Sequence, residues 1–200
     1  MKSIRGAYAE RGVESFYRDE GHLYHNPHTA QVEALLTRYA DVISGASVLD
    51  LCCGSGEVTR AAIELKAREV VGVDPYTYDA YERETGLTCL RYNFAEIIRG
   101  ALDAHRTSVM LDHIPHYDVV ICSFAMHLCP LEQLYALTYT LFKYTEEVII
   151  ITPHKRPELE LISGVSLRES AIELTSKKKR VTLKRYIMPH HPERPHYDAL

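Results

Sequence analysis

Val48-Leu49-Asp50-Leu51-Cys52-Cys53-Gly54-Ser55-Gly56 decides the fold. An apolar run fit for a buried strand passes into two closely spaced glycines and then into Glu57-Val58-Thr59-Arg60-Ala61-Ala62, whose spacing is helical. Gly54 and Gly56 let the backbone turn sharply and let a ligand approach the main chain without meeting a Cβ. The helix that follows offers free N–H groups at its start. Working outward, the apolar run 69–73 ends on Asp74, twenty positions after Gly54, where a carboxylate faces the two hydroxyls of a ribose. A glycine turn alone is weak evidence. The turn, the helix and the strand-end carboxylate together specify a nucleoside-binding edge.

The same alternation continues along the chain. Runs 47–51, 69–73, 88–92, 118–123 and 148–152 are almost continuously apolar, as strands covered on both faces are, and segments 57–66, 77–84, 95–104 and 131–142 have helical spacing. Alternating strands and helices predict an α/β architecture with a doubly wound, mostly parallel sheet. Segments 165–175 and 180–188 flank the polar run Ser176 to Lys179 and predict a C-terminal antiparallel hairpin, which brings the sheet to seven strands. Ahead of the first strand, 27–43 reads as one long amphipathic helix with Val32, Leu35, Leu36 and Tyr39 on one face, Asn26 as N-cap and Pro27 at its first position. A shorter helix is expected over 7–18. Residues 189–200 contain three prolines and read as an extended tail.

Composition limits the function classes. With 200 residues, 46% apolar, 25% charged and no Trp, the chain supports one ordinary core, residues 1–200 forming a single domain. A net charge of −4 argues against a surface that is wholly a nucleic-acid footprint. An odd count of five cysteines, two of them adjacent, suits reduced thiols and a cytoplasmic location. No apolar leader and no run of the length that spans a membrane is found. Eleven histidines raise the question of metal, but Gly21 and Asn26-Pro27 interrupt the spacing of His22, His25 and His28, and no cysteine pair has a two-residue gap, so no metal is expected.

Two cofactor classes fit the glycine turn. A dinucleotide site ordinarily shows a third glycine and a phosphate-friendly helix start, whereas here Gly56 is followed by Glu57-Val58-Thr59. Glu57 repels phosphates but not an adenosyl ligand with a cationic sulfonium, and Asp50 attracts that ligand's ammonium group. The chain resembles the class I S-adenosylmethionine-dependent methyltransferases of the seven-stranded, Rossmann-like fold. VLDLCCGSG (48–56), GVDPY (72–76), YNF (92–94) and YDVVICSFAMH (117–127) carry the resemblance, which spans roughly 47–188. It implies S-adenosylmethionine as cofactor and S-adenosylhomocysteine as product. Asp50, Cys52, Gly54 and Gly56 would meet the methionine part, Asp74 with Pro75 the ribose, Asn93 and Phe94 the adenine, and Ser123 the sulfonium and acceptor. Cys52 stands where the family most often has its first glycine, and Asn93 where aspartate is frequent.

Methyl transfer needs mainly positioning, with a base only where the acceptor keeps its proton at neutral pH. The chain has Ser123-Phe124-Ala125-Met126-His127 where the family's base and amide methylases carry N-P-P-[YFW]. His127, just past the fourth strand, is a candidate base or capping histidine, and His154, after the fifth, a further candidate for substrate contact. The resemblance implies that residues 1–45 form a helical lid over the Rossmann-like core 46–188, so Tyr24 and His28, with Tyr17 and His25, become candidates for substrate contact. The expected acceptor is a small molecule or compact polar group. Lys177 to Arg180, with Lys184-Arg185 on the same hairpin, motivates the alternative of an RNA- or protein-modifying enzyme, and a catalytically inactive cofactor-binding scaffold is the alternative from another class. Either a monomer or a homodimer fits.

Overall fold

A computed structural model of the chain describes residues 28–189. Helices α1 (Thr29–Thr37) and α2 (Ala40–Ile43) precede β1 (Ser47–Leu51), α3 (Glu57–Glu64), β2 (Glu69–Val73), α4 (Tyr78–Thr85), β3 (Cys89–Leu90) and α5 (Phe94–Ile98). A small hairpin, β4 (Met110–Leu111) and β5 (Ile114–Pro115), leads to β6 (Val119–Ser123), α6 (Leu131–Tyr144), β7 (Glu147–Thr152), β8 (Ser166–Leu174) and β9 (Arg180–Ile187). The main sheet has seven strands in the order β3-β2-β1-β6-β7-β9-β8. It is parallel from β3 to β7, whereas β9 runs antiparallel to both β7 and β8.

Period-two alternation explains why both faces are covered. Leu49, Leu51, Val120, Cys122, Val148 and Ile150 point to one side, against Ile97 of α5 and Leu137, Leu141 and Phe142 of α6. Val48, Val119, Ile121, Ile149 and Ile151 point to the other, against Val32, Leu35 and Leu36 of α1, Ile43 of α2 and Val58, Ala61 and Ala62 of α3. Every residue of β1 is buried, which is why its apolar residues Val48, Leu49 and Leu51 do not alternate with exposed polar ones.

Several boundaries differ from expectation. The long helix over 27–43 is interrupted at Tyr39, whose φ of −117° and ψ of 31° lie outside the helical region, so α1 and α2 are separate. Within the described residues α1 starts at Thr29, with His28 at its N-cap position; Asn26, Pro27 and the expected helix over 7–18 lie outside the described residues. The strand expected over 88–92 pairs only at Cys89 and Leu90. The helix expected over 95–104 begins one residue earlier and stops at Ile98, because Gly100 adopts a left-handed φ of 90° before a 3-10 turn over Ala101–Ala104. The hairpin of β4 and β5 carried no sequence signal: Asp112 and His113 take φ of 48° and 69°, the signs that a tight hairpin turn needs, without the usual Asn-Gly.

Candidate cofactor-binding and active site

The parallel register aligns the carboxyl ends of the strands. Leu51 pairs with Val73 and with Cys122, and Cys122 with Ile150, so the residues following β1, β2 and β6 emerge side by side. Open α/β sheets bind ligands at this edge, where the strand order reverses between β1 and β6. A cavity of about 260 Å³ lies there.

Of the residues expected at a cofactor site, Cys52, Gly54, Asp74, Pro75, Asn93, Phe94 and Ser123 line this cavity. They come from the carboxyl ends of β1, β2, β3 and β6, up to 71 positions apart, so the sheet order is what brings them together. Tyr76, Thr77, Tyr92, Phe124, Ala125, Leu128 and Pro130 line it as well. Sequence reading did not single these out, although Tyr76, Tyr92, Phe124 and Ala125 lie within the quoted stretches; the signal they share is that they follow strand ends.

Backbone geometry shapes the turn. Cys52, Gly54 and Gly56 all have left-handed φ, of 57°, 58° and 87°. Cys53 N–H donates to the Val73 carbonyl at 3.1 Å, and Gly56 N–H to the Cys53 carbonyl at 2.8 Å, which ties the turn to β2. Gly56 does not line the cavity. A Cβ there would strike Thr85 Cγ2 of α4, so this glycine serves close packing of the turn on α4. Gly72 has the same function on β2: a Cβ would enter the ring of Tyr81, which is fully buried.

The two carboxylates of the motif have separate surroundings. Asp74 Oδ1 accepts from the backbone N–H groups of Tyr76 at 2.8 Å and Thr77 at 2.9 Å, and Oδ2 faces Gly54 N–H at 3.4 Å. Burial raises its pKa, and these N–H donors pull the other way. Asp50 lies behind the turn, away from the cavity lining, and is fully buried. Its Oδ2 accepts from Thr59 N–H at 3.1 Å and Thr59 Oγ1 at 2.7 Å, while Oδ1 has no hydrogen-bond partner among the described residues. Burial pushes Asp50 up to about 7, against the hydrogen bonds from Thr59.

Asn93 is the N-cap of α5 through a capping box. Its Oδ1 accepts from Glu96 N–H at 2.9 Å while a Glu96 carboxylate oxygen accepts from Asn93 N–H at 2.8 Å, which fixes Phe94 at the cavity wall. Glu57, in the first turn of α3, is 2% exposed and accepts from the Ser55 hydroxyl.

His127 and His154 do not line the cavity, but the sheet brings them together, their ring centroids 4.2 Å apart. His28 stacks on the cavity residue Phe124, with centroids 5.0 Å apart and planes 8° from parallel. Phe124 has a left-handed φ of 58°, uncommon for a bulky residue, and its N–H donates to the Ile151 carbonyl at 2.8 Å. Tyr24, with Tyr17 and His25, lies outside the described residues. Among the described residues no group of three or more ligating side chains could hold a metal, and no helix is long and apolar enough to cross a membrane.

These features give the chain the fold seen in the class I S-adenosylmethionine-dependent methyltransferases. It also belongs to one protein family with Uncharacterized protein C17A5.05c of Schizosaccharomyces pombe, 31% identical over 197 residues, covering 79% of this chain and 77% of that protein. No protein-family model matches the chain. Among solved structures it is similar to magnesium protoporphyrin IX methyltransferase from Synechocystis PCC 6803, solved with bound SAM, at a TM-score of 0.61 and 16% identity over 92% of this chain and 94% of that one. It is similar to the CcbJ methyltransferase of Streptomyces caelestis, at a TM-score of 0.58 and 14% identity over 82% and 90% of the two chains. The ribosomal protein L11 methylase of Lactobacillus delbrueckii matches at a TM-score of 0.50 and 18% identity over 80% and 79%.

Proposed function

We propose that the protein is an S-adenosylmethionine-dependent methyltransferase. One observation carries the reading: the glycine turn, the Asp74 carboxylate and the Asn93-Phe94 pair converge on a single cavity at the reversal point of the sheet. The residues present fit an adenosyl ligand. Asp74, whose Oδ1 is held by the N–H groups of Tyr76 and Thr77, keeps acceptor capacity on Oδ2, beside Gly54 N–H, for a ribose hydroxyl. Phe94 and Tyr92 offer aromatic surface for the adenine, and Cys52 and Gly54 border the space for the amino-acid tail. The Glu57 carboxylate, in the first turn where a dinucleotide would place its pyrophosphate, opposes an anion there.

When bound, the cofactor supplies a methyl group already activated by sulfonium. The chain then has to orient the acceptor and, for an acceptor that keeps its proton, remove it. Ser123 at the cavity wall and the His127–His154 pair beside it are the groups for these roles, with His28 reaching the same edge through Phe124. Among the described residues the cavity is about 260 Å³, small beside the ~300–1,000 Å³ ordinary for a ligand pocket, which supports an acceptor entering at its mouth. The five free thiols fit a reducing, cytoplasmic compartment.

The test is thermal stabilisation by S-adenosylhomocysteine set against NAD and NADP. Stabilisation by S-adenosylhomocysteine that disappears in Asp74→Ala supports the reading, and stabilisation by the dinucleotides alone overturns it.

A further inference from the structure

We infer that the acceptor is carried on a single-stranded nucleic acid, whose phosphodiester backbone docks on a basic rim beside the active site; this rests on the methyltransferase reading above. The rim is a product of the antiparallel register. Because Thr152 at the end of β7 pairs with Thr182, the start of β9 and the hairpin turn before it project from the carboxyl edge of the sheet, where the cofactor cavity opens. That puts Lys177, Lys178, Lys179 and Arg180 at the same edge of the sheet from which the loop with His154, Lys155 and Arg156 leaves β7. All six Lys and Arg side chains belong to exposed residues.

Charge balance separates this rim from the rest of the hairpin. Lys184 is paired with Glu160 at 2.9 Å, and Arg185 is held by Glu147 and Glu169, so those cations are neutralised within the fold. Lys155 has a distant partner in Glu158, at 3.8 Å. Arg156, Lys177, Lys178, Lys179 and Arg180 have no ion pair among the described residues, while the nearby Glu173 is engaged by Arg38. In a chain of net charge −4, a run of unpaired cations at the active-site edge is a local departure from the overall sign.

The backbone of the turn is closed by hydrogen bonds. Thr175 N–H donates to the Lys179 carbonyl at 2.9 Å, Lys178 N–H to the Thr175 carbonyl at 2.8 Å, and Lys179 N–H to Thr175 Oγ1 at 3.1 Å. A single phosphate needs one or two cations. A rim of six spread over two adjacent loops matches a chain of phosphates, with base or sugar delivered to the mouth beside His127 and His154.

Fluorescence anisotropy with mixed-sequence 20-nucleotide RNA and DNA strands, on the full chain without cofactor, tests the inference. Binding at 50 mM salt is expected, with an affinity that falls steeply as salt is raised. Lys177→Gln/Lys178→Gln/Lys179→Gln should weaken it at least ~10-fold and flatten the salt dependence by about 0.7 for each phosphate that the variant no longer neutralises. Stabilisation by S-adenosylhomocysteine should stay unchanged in that variant, which separates failure of the rim from failure of the cofactor reading. A control that removes the same charge at the amino edge of the sheet, Lys66→Gln/Arg99→Gln/Arg106→Gln, should bind like the parent. Preference between the RNA and DNA arms identifies the strand. No binding of either at 50 mM salt, or equal weakening in rim and control variants, overturns the proposal.

Discussion

The rings of His127 and His154 lie with centroids 4.2 Å apart and planes tilted by 44°, although the two residues are 27 positions apart in the chain. One follows β6 and the other β7, and the parallel pairing of Ser123 with Ile151 brings the two loops out together. If the pair orients or deprotonates the acceptor, His127→Gln and His154→Gln should each lower kcat by ~10²-fold or more, with S-adenosylhomocysteine affinity within about twofold of the parent. Single-turnover kinetics beside calorimetry makes the comparison. Wild-type kcat in both variants would remove the histidines from the chemistry.

Asp74 is held by backbone N–H groups on one oxygen and faces Gly54 on the other. Asp74→Asn keeps the shape but removes the charge-assisted bond to a ribose hydroxyl, worth ~1.5–3 kcal/mol. Calorimetry should therefore show S-adenosylhomocysteine affinity falling by ~10–100-fold with little change in Tm. A large drop in Tm at unchanged affinity would instead make Asp74 a structural residue.

Asp50 gives stability a pH dependence. Its folded-state pKa, pushed up to about 7 by burial, lies above the ordinary carboxylate value, so the native state binds more protons than the unfolded chain between about pH 4 and 7. Stability contributed by this group is present below that window and is lost as pH rises through it. Asp50→Asn, which retains an acceptor for Thr59, should raise Tm over the parent by ~5 °C at pH 8 and by much less at pH 5. An equal difference at both pH values would contradict the assignment.

Cys52 holds a left-handed backbone at φ 57°, a conformation that costs a residue with a Cβ about 1 kcal/mol or more. Cys52→Gly removes that strain, while the greater freedom it gives the unfolded chain offsets ~0.4–1 kcal/mol, so Tm should change little. Cys52→Val places a β-branched side chain in the same conformation and should lower Tm by several degrees. Equal effects of the two substitutions in a urea or thermal melt would show that backbone conformation is not what the position demands.

The sequence by itself determined the α/β alternation, the glycine turn, the carboxylate at the end of the second strand and the terminal hairpin. These are legible because each is local: continuous apolar runs mark buried parallel strands, and glycines mark backbone that residues with a Cβ enter at a cost. Local signals also misled. Nothing in 27–43 announced the break at Tyr39, and nothing local announced that Gly56 also makes room for Thr85. Tertiary structure alone decided what meets what. Sheet order joined Asp74, Asn93 and Ser123 at one cavity, the register of β6 and β7 joined His127 to His154, and the antiparallel return of β9 carried Lys177 to Arg180 to the carboxyl edge of the sheet. The physical reason is that strand pairing acts between segments distant in sequence, so its consequences are written in no single stretch of the chain.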